Sequence, residues 1–152
     1  MIKLKPYSAS ILVFGGFLFL AMGVYFIFIR PPLLPEDLRY MKITSPTEQD
    51  KIQGLQMWLR KVFWVMGSYI FTTGLLTIYI AFTSFRTRTR GAYGIVLVSG
   101  FSSIGSMTVV NFIISSDFKW ILLVFMLPWV IALILYGIEN DALVKKTSYD
   151  KG

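Results

Sequence analysis

Residues 62–85 read VFWVMGSYIFTTGLLTIYIAFTSF and contain no Asp, Glu, Lys, Arg or His. An α-helix rises about 1.5 Å per residue, so about 20 apolar residues cross the hydrocarbon core of a bilayer. Lipid offers no hydrogen-bond partner to a peptide group, and a spanning segment must therefore be a helix or part of a closed barrel. This stretch predicts a transmembrane helix.

Three further stretches, Ser8–Ile29, Gly91–Ser116 and Trp120–Ile138, share this composition. The spans occupy well over half of the 152 residues, so we expect a single domain, 1–152, with no separate soluble part. The linkers before the third and fourth spans are short, which makes spans two, three and four antiparallel neighbours. The sequence predicts an all-α polytopic membrane protein, a four-helix antiparallel bundle.

The first two spans are joined by a long connection, residues 30–61, which predicts a short helical cap. Pro35-Glu36-Asp37 has the pattern of a helix start, with Pro at the first position and acidic residues at the positive end of the helix dipole. We expect that helix over about Pro35–Met41. Ser45-Pro46-Thr47-Glu48 is a capping box and predicts a second helix that runs on to Phe85. The tail, 139–152, is polar and is expected to be partly ordered.

The chain contains neither cysteine nor histidine, which removes the thiolate nucleophile, the commonest general base, the usual haem ligand and the commonest zinc ligand. We therefore expect no cofactor or metal. An enzyme that used the loop carboxylates Glu36 and Asp37 is the least favoured class. The net charge of +7 lies at helix ends and in loops, where basic residues contact lipid headgroups, so no nucleic-acid partner is expected.

An even number of spans places both termini on one side of the membrane. The two sides carry almost equal numbers of Lys and Arg, but Lys3, Lys5 and the compact 86–90 linker (RTRTR) lie close to span ends on the terminal side. The positive-inside rule then predicts cytoplasmic termini. Because the sequence shows no targeting or retention signal, a bacterial inner membrane is the expected location.

Small residues predict how spans two and three pack. Such residues let helix backbones approach closely in lipid. A hairpin folded at Arg88 places Gly74 at the depth of Ser102, which predicts a close pair with hydroxyl bonds between the helices. The alternative is a polar groove between spans two and three. The packing candidates in the two spans are Gly67, Gly74, Ala81, Ser99, Ser102 and Ser106.

Asn111 is the most polar side chain within a span, and its amide needs partners in hydrocarbon. Pro128 removes a helical donor and frees the carbonyl of Val124. A hairpin folded near Phe118 brings Asn111 and Val124 to one depth, so we expect the amide to satisfy that carbonyl. An Asn111 side chain in an open cavity would contradict this pairing.

Trp129 follows the proline and falls near the middle of the fourth span. The same hairpin places it level with Gly105 and Ser106, which can accommodate its ring. We therefore expect Pro128 and Trp129 to be helix-packing residues.

Two function classes remain open. The favoured one is a non-catalytic subunit or scaffold that binds a membrane-protein partner or a second copy within the lipid bilayer. The alternative is binding or transport of a neutral or amphipathic ligand, such as a lipid or quinone, in the groove beneath the charged cap. A filled interior favours the scaffold, and a roomy pocket favours the ligand. The candidate ligand-binding residues are Thr73, Thr77, Ser103, Asn111, Arg39 and Arg60.

Overall fold

The computed structural model describes residues 7–42 and 52–149, with side chains described as far as Ala142. The chain is almost entirely helical over these ranges, and they contain no strand. Four helices are long and apolar enough to cross a membrane, as the sequence predicts. The helices are α1 (Tyr7–Ile29), α2 (Pro35–Tyr40), α3 (Gln53–Phe85), α4 (Ala92–Ile113) and α5 (Lys119–Tyr149).

The short helix α2 begins where the proline and acidic residues predict it. Pro35 occupies its first turn, and the Asp37 carboxylate accepts a hydrogen bond from the backbone N–H of Leu34 at 2.9 Å. That bond satisfies one of the donors that a helix start leaves unpaired. The capping box at 45–48 lies outside the described residues, and α3 is described from Gln53 onward.

Three helices contain a wide π-helical turn, at Tyr25–Ile29, Ala81–Phe85 and Phe101–Gly105. Each such turn uses more residues than an α-helical turn and shifts the helix face that follows it. Left-handed residues mark the hairpin turns: Arg88 (φ 56°) lies between α3 and α4, and Ser115 (φ 54°) lies between α4 and α5.

The closest helix pair is α1 with α3, and glycines make the close approach possible. A Cβ added at Gly23 would lie 2.7 Å from the backbone nitrogen of Phe71. One added at Gly74 would lie 2.8 Å from the carbonyl oxygen of Gly16, and one at Gly67 would lie 2.9 Å from that of Gly23. The residue numbers run in opposite directions, so the two helices are antiparallel.

The glycine face of α3 was predicted to pack against α4, and this prediction is wrong. Gly67 and Gly74 contact α1, which has its own glycines, Gly16 and Gly23, at the same seven-residue spacing. Two glycine-lined helix faces can approach more closely than a glycine-lined face and a serine-lined face. Buried Ala81 lies in the segment of α3 that contacts both α1 and the first half of α4.

The expected hydroxyl bonds between α3 and α4 are also absent from the described residues. The hydroxyl of Thr77 donates to the Thr73 carbonyl at 2.7 Å, that of Ser103 to Ser99, and that of Ser106 to Ser102 at 2.7 Å. A helical Ser or Thr always has the carbonyl four residues earlier within reach. The donor is therefore satisfied without any neighbouring helix.

The predicted pairing of Asn111 with the Val124 carbonyl is wrong. The Asn111 amide donates to the carbonyl of Met107 in its own helix, at 2.9 Å. The hairpin turns at Ser115 and not near Phe118, so the facing residues of α4 and α5 are shifted from the expected register.

Trp129 is a packing residue, but its partners differ from the expected ones. Its indole N–H donates to the Val96 carbonyl at 3.0 Å, and a Cβ added at Gly100 would lie 2.3 Å from its ring. These residues precede the predicted Gly105 and Ser106, because the earlier turn and the π-helical segment of α4 shift the register.

The buried Pro128 lies beside α1, since a Cβ added at Gly15 would be 3.4 Å from the Cβ of Pro128. Its helix α5 also continues through 139–149, where a partly ordered tail was expected. Arg88 and Glu139 form an ion pair at this end, so the first residue beyond the fourth apolar stretch belongs to the folded structure.

Candidate functional site

A cavity of about 1180 Å³ lies among α1, α3, α4 and α5. It forms because α3 contacts α4 chiefly through Ala81–Phe85, close to the turn that joins them, while α1 follows α3 over much of its length. The two helices of this hairpin therefore separate toward the α2 end. Tyr69 of α3 and Val110 of α4 line the cavity and are strongly exposed, so the cavity opens between these two helices.

The cavity wall is largely apolar and is built by all four long helices. Such a lining suits a hydrocarbon chain or a ring, and only a few polar groups are placed on it. The apolar residues of the wall include Phe19, Met22, Phe26, Ile70, Met107, Leu122 and Phe125.

The wall carries a few polar side chains. They are Thr73 of α3 and Ser103, Ser106 and Asn111 of α4. The three hydroxyl donors and one of the two N–H donors of the Asn111 amide are already used by carbonyls of their own helices. These side chains therefore offer acceptor oxygens and one amide N–H to a molecule in the cavity.

The structure brings three of the six predicted ligand-binding residues to this cavity, namely Thr73, Ser103 and Asn111. Thr77 is buried one turn further along α3 and does not line the cavity. Arg39 and Arg60 are exposed and lie outside its lining. Hydropathy and depth place residues at a level in a span, but they do not determine which way a side chain on a loop or helix end points.

Charged residues line the cavity at its α2 end. The Arg30 guanidinium lies 3.7 Å from the centroid of the Phe63 ring, and its Nη2 is 3.2 Å from Oδ2 of Asp37. Both charged side chains are mostly buried. This ion pair joins the end of α1 to the first turn of α2 and therefore fixes the position of α2 over the cavity.

Glu36 is the most deeply buried charged residue of the cavity lining, with 3% of its surface exposed. Its Oε1 accepts a hydrogen bond from the hydroxyl of Ser116 at 3.2 Å. Ser116, in the turn between α4 and α5, also accepts a bond from the backbone N–H of Phe118 at 3.1 Å. The sequence places Glu36 at a helix start but does not predict its burial, because that burial depends on α2 folding onto this turn.

A second contact holds α2 against the same turn. Arg39 and Asp117 form an ion pair at 2.8 Å on the outer surface, with both side chains well exposed. The hydrogen bond from Arg39 to Asp117 raises the pKa of the guanidinium above its usual value. Arg39 therefore helps to position α2 and does not contact the cavity.

The opposite end of the molecule contains a polar cluster that the sequence analysis missed. Glu139 of α5 pairs with Arg88 of the α3–α4 turn and accepts hydrogen bonds from the backbone N–H and the hydroxyl of Ser8, at 3.2 and 2.7 Å. Arg88 also donates to the carbonyl of Tyr136 at 2.9 Å. The sequence does place Ser8, Arg88 and Glu139 at the ends of predicted spans, on the side of the membrane that holds both termini, and this shared level could have indicated the cluster.

Comparison with known proteins found no match to a family model, a curated protein sequence or a solved structure.

Proposed function

We propose that the chain is an integral membrane protein whose four long helices form an antiparallel transmembrane bundle. Support comes from their length and composition and from large apolar side chains that point away from the interior, such as Phe17, Leu76, Phe82 and Phe101. An apolar outer surface of this kind suits lipid and not water.

We propose that both termini are cytoplasmic, in a bacterial inner membrane. Arg86 and Arg90 are exposed in the turn between α3 and α4, at the end of the bundle that holds both chain termini, and can contact lipid headgroups. Arg88 contributes less to this argument than its sequence position suggests, because Glu139 neutralises its charge. The α2 end of the cavity then lies at the outer surface of the membrane.

The proposed function is non-catalytic binding of a lipid-like amphipathic ligand in the cavity. The observation that carries the proposal is an apolar space of about 1180 Å³ with a charged end and a side opening between α3 and α4. Typical small-molecule pockets enclose about 300–1,000 Å³, so this space is large enough for acyl chains or a ring with a long tail. The side opening gives access from the bilayer.

Filling the cavity tests this proposal. We expect Ser103→Phe and Thr73→Phe to reduce the amount of co-purified lipid by about tenfold, since each ring occupies the space of the ligand. Ser102→Phe and Thr72→Phe are matched controls, because these neighbouring residues are exposed and do not line the cavity. Native mass spectrometry of protein extracted gently from its membrane measures the bound lipid. Equal lipid retention in all four variants would contradict the proposal.

A subunit or scaffold role is the second candidate function, and one observation favours it. Gly94 and Ser102 are exposed on α4, and a Cβ added at Gly94 would meet no atom within 4 Å. This small-residue surface could accept a partner helix or a second copy. In the same spectra, a stoichiometric second polypeptide that Gly94→Leu removes would support this function.

A further inference from the structure

We infer that the cavity selects amphiphiles whose headgroup carries a primary ammonium, and that Glu36 binds this group. The inference rests on the proposed ligand-binding function and narrows the ligand to one chemical class.

The Glu36 carboxylate is buried at the charged end of the cavity and is only partly satisfied. A carboxylate has about four acceptor positions, and among the described residues one donor, the Ser116 hydroxyl, occupies one of them. No ion pair among the described residues includes Glu36. A buried charge is costly unless a counter-charge and hydrogen-bond donors accompany it. Glu36 therefore has both the burial and the spare acceptor capacity to bind an incoming cation.

The neighbouring carboxylate, Asp37, is already occupied. It accepts from Arg30 and from the N–H of Leu34, so it serves the start of α2. Of the two described cations in the lining, Arg30 is paired and mostly buried, and Lys61 is exposed. Arg30 is held by Asp37 and Phe63, and the Lys61 ammonium lies 3.8 Å from the centroid of the Trp64 ring. Of the two described carboxylates in the cavity lining, Glu36 is therefore the one without a cation at ion-pair distance.

The Glu36 carboxylate distinguishes among the amphiphiles that fit the apolar wall by the charge and the hydrogen-bond donors of their headgroups. A quinone presents carbonyl acceptors and gives Glu36 no donor. A trimethylammonium headgroup carries the charge but has no N–H, and an anionic headgroup adds a second negative charge. A primary ammonium supplies three donors and the matching charge, and charge-assisted bonds of this kind are the strong ones. It can come from an amine-headed phospholipid of the bilayer or from a free long-chain amine.

The first test uses the full chain in nanodiscs that contain equal amounts of phosphatidylethanolamine, phosphatidylcholine and phosphatidylglycerol. Native mass spectrometry after release of the protein measures the retained lipids. We expect phosphatidylethanolamine to be enriched about tenfold over the other two. Glu36→Gln should abolish this preference while lipid is still retained, because the amide keeps the size and one acceptor. Asp141→Asn, the matched control, removes an exposed negative charge near the opposite end of the molecule, outside the cavity, and should leave the preference unchanged.

A second arm identifies the source of the ammonium. Dodecylamine is added to the protein in phosphatidylglycerol nanodiscs, and its binding is compared between wild type and Glu36→Gln. Glu36-dependent binding supports a site that also takes free amines. Enrichment of phosphatidylethanolamine without amine binding supports a bilayer lipid as the ligand.

Three results would overturn the inference. Retained lipid with no headgroup preference in the wild type, together with no Glu36-dependent amine binding, would reject it while leaving the proposed lipid binding intact. No retained lipid and no bound amine would reject both. Equal loss of every lipid in Glu36→Gln would make Glu36 a structural residue. Glu36→Asp provides the independent check, since it keeps the carboxylate but shortens the side chain by one methylene group, and we expect a weaker preference for phosphatidylethanolamine with lipid still retained.

Discussion

Replacing Glu139 with alanine is expected to lower the free energy of unfolding by about 3–5 kcal/mol, because it leaves a buried guanidinium without its counter-ion. The Arg88 and Glu139 side chains are only 16% and 12% exposed. The carboxylate also accepts both hydrogen bonds from Ser8, so its loss leaves those donors unpaired. One residue of α5 thus holds the start of α1 and the α3–α4 turn together.

The exposed ion pair on α2 is the matched control for this prediction. Arg39 and Asp117 are more than half exposed, and solvent screens their attraction, so Asp117→Ala should change stability little. Thermal unfolding in detergent micelles, followed by circular dichroism, compares the two variants. Arg88→Ala and the double variant complete the cycle, and the double variant should lose less than the sum of the single losses. Similar losses in Glu139→Ala and Asp117→Ala would contradict the role of the buried pair.

The sequence predicts the helices well because the signals that define them are local. The all-helical class, the four long apolar helices and the short helix at Pro35 are all confirmed. The first predicted span, Ser8–Ile29, differs from α1 by one residue, and α3 ends at Phe85 as expected. Uncharged runs and prolines fix these boundaries regardless of what packs beside them.

Helix pairing was predicted less well because it depends on which faces meet. Gly67 and Gly74 were recognised as a smooth face, but adjacency in sequence suggested α4 as the partner. Gly16 and Gly23 of α1 carried the same seven-residue signal and form the actual contact. The predicted register between α4 and α5 was also wrong, since hydropathy does not detect the left-handed turn at Ser115.

The candidate site was only partly predictable, because some of its residues depend on how distant elements pack. Thr73 and Ser103 were predicted as ligand-binding residues of a groove between spans two and three, and the structure brings both to the cavity wall. Glu36 could not be assigned, because its burial requires α2 to fold onto the α4–α5 turn. Glu139 was assigned to the tail, because a polar residue after an apolar run normally lies in solvent.

The glycine contact between α1 and α3 predicts that alanine substitutions at two helical glycines, Gly23 and Gly94, change the stability in opposite directions. Gly23→Ala is expected to destabilise the protein by about 1–3 kcal/mol, since the added Cβ would lie 2.7 and 2.8 Å from the backbone N and Cα of Phe71. These are backbone atoms, so no side-chain rotation relieves the overlap and the helices must move apart.

Gly94→Ala is the matched control and is expected to stabilise the protein by about 0.4–1 kcal/mol. Its added Cβ meets no atom within 4 Å, and alanine restricts the unfolded chain more than glycine does. Thermal unfolding in the same micelles should lower Tm for Gly23→Ala and raise it for Gly94→Ala. Equal shifts of the same sign would mean that α1 and α3 are not in backbone contact at Gly23. The opening between α3 and α4 would then need another cause, because we attribute it to α3 packing tightly against α1 and not against α4.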